Sequence, residues 1–279
     1  MLGRARIHGS SLDEVRVEGA TLDPSHREPA VELAHSTLHA QLYIDDGRFV
    51  APARGAVQDA VVIRSSTFDP TYSSSFTHAT RVQLSGCTFN RTRMLVFDTT
   101  IAYTDGGHGP RALRMTSLNG AAAHLVHSEL VVERSNLTLM NAKHSTATVL
   151  QVDAGANLSH SVVAISNSTV GPSNAVGSSF VIERPLDMES FEVKALHTNF
   201  TAVVTINTHT LWLDSVHGTS LSVVSSGSIA VGRSVPVLLQ KVVFISATTL
   251  RGIHMEAGQS LVVRDSAFED DRAPSVQLE

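Results

Sequence analysis

A histidine set between two glycines, Gly107-His108-Gly109, with Asp105 just upstream, is the arrangement in this 279-residue chain best suited to acid–base chemistry. Small neighbours leave the imidazole reachable, and a carboxylate beside it can orient the ring or take part in proton transfer. Paired carboxylates occur at Asp45-Asp46 and Asp270-Asp271. Inverting hydrolysis needs two carboxyls within roughly 10 Å, so His108 and Asp105 are catalytic candidates only if the fold gathers such a pair around them. The other acidic residues are scattered, as in Asp153, Glu183, Glu189 and Glu192. No D-x-D cluster recurs and no Gly-Gly-x-Gly-x-Asp calcium repeat is present. No metal and no cofactor is expected.

The elements that must carry these residues are repeats. An eight-residue pattern (apolar, any, apolar, any, any, small, any, apolar) reads VVIRSSTF from Val61, VQLSGCTF from Val82, LVVERSNL from Leu130, VAISNSTV from Val163 and LVVRDSAF from Leu261. Looser copies start at Ala5, Val15, Val31, Ala123, Ala156, Val193 and Val237. Positions one and three alternate as on a strand with one buried face, and so do six and eight. The odd step from three to six would turn the later pair outward, so a bend must lie between them. Its polar residues mark a bend facing water, and the small sixth position marks a crowded inside corner. Starts at 5, 31, 61, 82, 130, 163, 193, 237 and 261 imply steps of roughly 26 residues and about eleven turns. Val15, Ala123 and Ala156 are then second corners of the same turns. The expected fold is all-β, a right-handed parallel β-helix forming one solenoid domain over 1–279. Segments 45–57, 71–79, 105–110 and 171–179 are expected as loops projecting from one face. The alternative is a leucine-rich-repeat-like solenoid, but of its upstream leucine positions, Gln58, Ala79, His127, His160 and Gly258, only the alanine is apolar.

The repeat frames the remaining side chains. His35, His127, His160 and His197 share the fifth motif position, where imidazoles stacked along a bend would bind metal or sense pH. That slot also takes Ser, Gly, Arg, Asn and Asp, and His127 and His160 read as separated by a turn, which favours a solvated bend. Cys87 occupies a small slot and reads as a buried, unreactive thiol. Trp212 lies between inward Leu211 and Leu213, so it faces outward, as a sugar platform or a covered flank. Asn90, Asn136, Asn157, Asn167 and Asn199 head Asn-x-Ser/Thr sequons and are glycosylation candidates, which favours passage through a secretory pathway.

VVIRSSTF, VQLSGCTF, VAISNSTV and LVVRDSAF resemble the parallel β-helix repeats of pectin-lyase-like proteins. The dense Ser/Thr, the small-Thr-Phe endings and the scattered sequons are similar to the large repetitive surface glycoproteins of kinetoplastids, the dispersed gene family. Polygalacturonases, of similar fold, carry Asn-x-Asp, Asp-Asp, Gly-His-Gly and Arg-x-Lys in order. Here Asp45-Asp46 and Gly107-His108-Gly109 match the middle pair, with no Asn-x-Asp before them and no Arg-x-Lys after. The kinetoplastid likeness implies an adhesin-like surface stalk anchored by segments elsewhere in a longer polypeptide.

Composition bounds the function. A net charge of −5 without a basic segment argues against nucleic-acid binding, and no apolar run of membrane-spanning length occurs. The start, MLGRARIHGSSLDEV, lacks an apolar signal-peptide core. Aromatic residues make up only 5% while hydrophobic residues make up 42%, which suits narrow stacked inward slots and leaves few rings to line a sugar cleft. No capping helix is evident at either end, so the chain is expected to continue in a longer solenoid or to associate end to end. The leading expectation is a non-catalytic scaffold at the cell surface or outside the cell, binding an unknown protein or glycan through its flank or loops. The alternative is a polysaccharide-active hydrolase or lyase.

Overall fold

The computed structural model describes residues 4–22, 28–53, 56–69, 80–104, 110–140, 147–174 and 177–208, and beyond these, to residue 264, the strands; past Leu211 it describes their backbone alone. Every described strand pairing is parallel. One sheet runs through Ala5–His8, Val31–Ala34, Gln58–Arg64, Thr92–Phe97, Glu129–Glu133, Val162–Ser166, Glu192–Leu196, Thr210–Asp214, Ser228–Val231 and Thr249–Arg251 in chain order. A second sheet carries fifteen strands, and a short third carries Arg48–Val50, Thr88–Asn90 and His124–Val126. Parallel neighbours that alternate among three sheets make a coil. The chain is a parallel β-solenoid.

Register turns the motif into columns. Ala5, Val31, Val61, Met94, Leu130, Val163, Val193 and Leu211 stand one above another in the first sheet. Leu12, Leu38, Phe68, Ile101, Leu137, Val170 and Phe200 do the same across the bend. From Leu38 to Phe200 this second column is at most 4% exposed. Burying a side chain of this size contributes about 1.5–3 kcal/mol, so the stack supplies much of the drive for coiling.

The coil count differs from the expected eleven. The first sheet has ten strands, because Val82 and Leu261 belong to the second sheet, in register with Leu42 and Val242 respectively. Val15 is likewise second-sheet, as expected of a second corner. Conversely, MLVFDTTI from Met94 is a full turn start hidden by threonine in its small slot. Coils take from 18 residues (Val193 to Leu211) to 36 (Met94 to Leu130), so a single spacing of 26 cannot index them. Residues 45–57 are not one loop either, since Arg48–Val50 pairs in the third sheet, and 171–172 and 178–179 are strand.

Each bend between first and second sheets turns on one left-handed residue. Gly9, His35, Ser65, Asp98, Arg134, Asn167 and His197 have φ between 47° and 59° in seven successive coils. This conformation costs a non-glycine residue roughly 1–2 kcal/mol, so something must hold it. The next residue does so: Ser10, Ser36, Thr99 and Ser135 donate backbone N–H to the hydroxyls of Ser36, Ser66, Ser135 and Ser168, at 3.1–3.3 Å. The hydroxyls of Ser36, Ser66, Thr99, Ser135, Ser168 and Thr198 donate in turn to the carbonyl two residues back, at 2.6–3.0 Å. A second ladder, Thr92 N–H to Ser128 Oγ at 3.2 Å and Ser128 N–H to Ser161 Oγ at 2.9 Å, holds the bend into the first sheet. The sixth position is therefore small and hydroxylated because it satisfies buried amides that the bend takes out of the strand ladder.

Removing one rung tests this. Ser135→Ala strands the Thr99 N–H in a buried corner and is expected to cost about 1–3 kcal/mol in urea unfolding. Ser65→Gly, at an exposed left-handed position, is expected to leave stability unchanged or raise it by up to about 1 kcal/mol. A Ser135→Ala midpoint equal to the parent's would show that the ladder contributes nothing.

Candidate binding face

The second half of the second sheet turns a polar column outward. Arg16, Tyr43, Gln83, Arg114 and Gln151 are in register on five successive coils, about 4.8 Å apart. Alternation makes this so: their neighbours Val15, Leu42, Val82, Leu113 and Leu150 point inward and are covered or partly covered by the core. Beside them runs a second column, Glu18, Asp45, Ser85 and Thr116. Arg16 pairs with Asp45 at 2.8 Å and lies 5.8 Å from the Tyr43 ring centre. Gln83 donates to Ser85 Oγ at 2.8 Å. Arg114 grips Asp153 with two nitrogens, and Thr116 Oγ1 donates to the same carboxylate at 2.6 Å. Arg111 donates to Gln151, which donates on to Glu183. Burial and the adjacent Arg114 charge push Arg111 below the usual guanidinium range, with Asp153 and Glu183 opposing them. Gln151, Asp45, Ser85 and Thr116 are buried, so the accessible part of the strip is Arg16, Tyr43, Gln83 and Arg114, ordered by the covered groups beside them.

In the third to sixth coils the second sheet is split, with first halves ending at Phe68, Thr104, Met140 and Pro172 and second halves starting at Thr80, Arg111, Thr148 and Ser178. Both sets of halves are in register. The buried Arg81 closes the edge of this split: it donates to the carbonyls of His39, Ala40 and Asp69 at 3.0, 2.6 and 2.8 Å, with its guanidinium 4.7 Å from the Tyr103 ring centre.

The sequence candidates are distributed unevenly around this geometry. His108, Asp105, Gly107 and Gly109 lie outside the described residues, as do Asp270 and Asp271. Asp45 is buried and tied to Arg16, whereas Asp46 is the exposed left-handed residue of the next bend, so the two are not a facing carboxylate pair. Asp153 and Glu183 are engaged by Arg114 and Gln151. Trp212 shares the register column of Ala164 and Lys194. Asn136, Asn167 and Asn199 are exposed at the first-to-second-sheet bend of three successive coils, while Asn90 and Asn157 are half-buried. The Asn157 side-chain oxygen accepts from Ser159 N and Oγ at 2.9 and 2.7 Å.

The fifth-position histidines divide between two bends. His35 and His197 lie on the bend out of the first sheet, and His127 and His160 on the bend into it, one coil apart. Their rings stack at 4.7 Å and 4°. Among the described residues no three metal-ligating side chains are already gathered. The polar strip escaped the sequence reading, and the shared motif position marked the histidines without showing which of them meet, because both depend on register, which unequal coil lengths conceal. Comparison of the chain with protein-family models, with curated proteins and with solved structures finds no match to any of them.

Cys87 fills the small slot of the bend between second and third sheets, its thiol donating to the Ile44 carbonyl at 3.2 Å. Burial pushes its pKa up to about 12. Unfolded, the thiol ionises from about pH 8.5 upward while the folded one stays neutral. The folded state therefore holds the extra proton, and stability is complete below that pH and falls as pH rises toward 12. Urea unfolding at pH 7 and pH 10 is expected to show this alkaline loss in the parent and a smaller loss in Cys87→Ala; identical losses would contradict the thiol's contribution.

Proposed function

We propose that this chain is a non-catalytic, adhesin-like scaffold of a cell surface or extracellular space, which binds a protein or glycan partner through the strip of Arg16, Tyr43, Gln83 and Arg114 or through its loops. The observation that carries the reading is the strip itself. It places donors and acceptors at a constant spacing along the solenoid, a geometry suited to an extended ligand. Its carboxylates are consumed in ion pairs with arginine, so they serve to order the face and are not held ready to move protons. The resemblance of the bends to pectin-lyase-like repeats supports a carbohydrate-facing flank, and the likeness to kinetoplastid surface glycoproteins supports a surface stalk. Three exposed sequons on one edge fit an extracellular site. Among the described residues no helix is long and apolar enough to cross a membrane.

End-to-end stacking, or continuation in a longer chain, belongs to the same reading. In the first coil Ile7, Val15 and Val17 are only partly buried, whereas Leu33, Leu42 and Ile44 one coil deeper are at most 1% exposed. A partner coil would complete their burial. Size-exclusion chromatography giving a clean monomer at high concentration would count against self-association.

Binding is tested on an array of polysaccharides and surface glycoproteins, with location tested by biotinylating intact source cells. The labelled surface fraction is expected to contain the chain. Tyr43→Ala with Gln83→Ala is expected to weaken capture of its partner about tenfold without polysaccharide turnover. Turnover abolished by His108→Ala would replace the scaffold with an enzyme, and protection of the chain from surface label would remove the extracellular assignment.

A further inference from the structure

Arg91, His127, His160 and Ser190 stand one above another at the bend into the first sheet, with φ of 58°, 49°, 53° and 51°. Backbone bonds tie each to the next coil: Arg91 N–H to the Val126 carbonyl at 3.1 Å, His127 to Ser159 at 3.0 Å and His160 to Glu189 at 2.7 Å. Immediately behind, the Thr92–Ser128–Ser161 hydroxyl ladder fixes the same bend. The two imidazoles thus project from a rigid, pre-formed edge. Their planes are within 4° of parallel at 4.7 Å, and the Glu189 carboxylate lies 3.8 Å from His160 Nε2.

We propose that His127 and His160 form a surface site for a divalent transition metal of the Zn2+, Ni2+ and Cu2+ class, with the Glu189 carboxylate within reach and water in the open positions. Imidazole is a preferred ligand of these ions. Metal–nitrogen bonds of about 2.0–2.1 Å put bound nitrogens roughly 3.0–3.4 Å apart, so the rings must rotate out of their parallel stack to aim their in-plane lone pairs at one ion, which their exposure permits. Arg91 repels a cation from one end of the column. The Glu189 carboxylate, whose backbone N–H is held by Asp187 at 3.0 Å, attracts it to the other. The other close histidine pair, His8 and His35, meets edge-on at 66°. The fifth motif position also takes Ser, Gly, Arg, Asn and Asp, so the sequence pattern favours a solvated bend; the 4.7 Å approach of the His127 and His160 rings is what singles out this pair.

The test is ZnCl2 titration of the full chain by calorimetry and by imidazole C–H resonances. One Zn2+ is expected at this site, with His127 and His160 resonances moving together. His127→Asn and His160→Asn, which keep a residue tolerant of the left-handed bend, are each expected to weaken binding at least about tenfold. Glu189→Gln is expected to weaken it less, and His197→Ala, at the other bend, not at all. Circular dichroism identifies any variant that fails to fold, in which case resonance shifts in the parent decide. No binding at millimolar Zn2+, or binding that survives the double His127→Asn/His160→Asn change, would overturn the proposal. A loss in His197→Ala as large as in the two Asn variants would overturn it as well.

Discussion

A single left-handed residue at each bend, made tolerable by the buried hydroxyl that follows it, is the constraint on which the rest of the molecule depends. The bend carries the chain from one sheet to the next, and it does so at the expense of a backbone amide that leaves the strand ladder. Serine or threonine accepts that amide from the neighbouring coil and returns its own proton to a carbonyl two residues back. Each coil thereby sets the bend of the next, and the apolar columns inside are aligned as a consequence. Where the second sheet meets the third, glycine and cysteine do the equivalent work. A β-carbon on Gly47 would fall 2.6 Å from the Phe49 ring, and the Cys87 thiol donates where a hydroxyl would.

Alignment inside dictates alignment outside. Once Val15, Leu42, Val82, Leu113 and Leu150 are stacked, the residues after them form a column whether or not they have a common chemistry, and here they do. Arg and Gln recur along it, with the counter-ions of the arginines one column over. The same logic stacks His127 on His160. Side-chain chemistry in such a fold is organised in columns, and one substitution perturbs one rung.

The fold was largely legible. VVIRSSTF and its sisters contain the bend in their spacing, and the inward positions they mark, from Val31 and Leu38 to Val193 and Phe200, are core. Cys87 as a buried thiol was legible from its slot alone. What could not be read was the index of each copy. Copies beginning at Val61 and Val82 look alike because every bend obeys the same rule, so which sheet a copy belongs to is decided only by pairing across coils of 18 to 36 residues. The polar strip and the His127–His160 stack are products of that pairing, and the shared motif position marks the histidines without showing which of them meet. His108 and Asp105 were found by chemistry rather than by repeat, and lie outside the described residues.

The hydroxyl ladder as the element that holds the coils in register is tested most directly by residue-resolved amide hydrogen exchange. The amides of Ser36, Thr99, Ser135, Thr92 and Ser128 sit at bends, where an unheld N–H exchanges freely. The account predicts that they exchange as slowly as amides within the strands, opening only with the global unfolding of the solenoid. Fast exchange at these five positions, with the strands still protected, would contradict it.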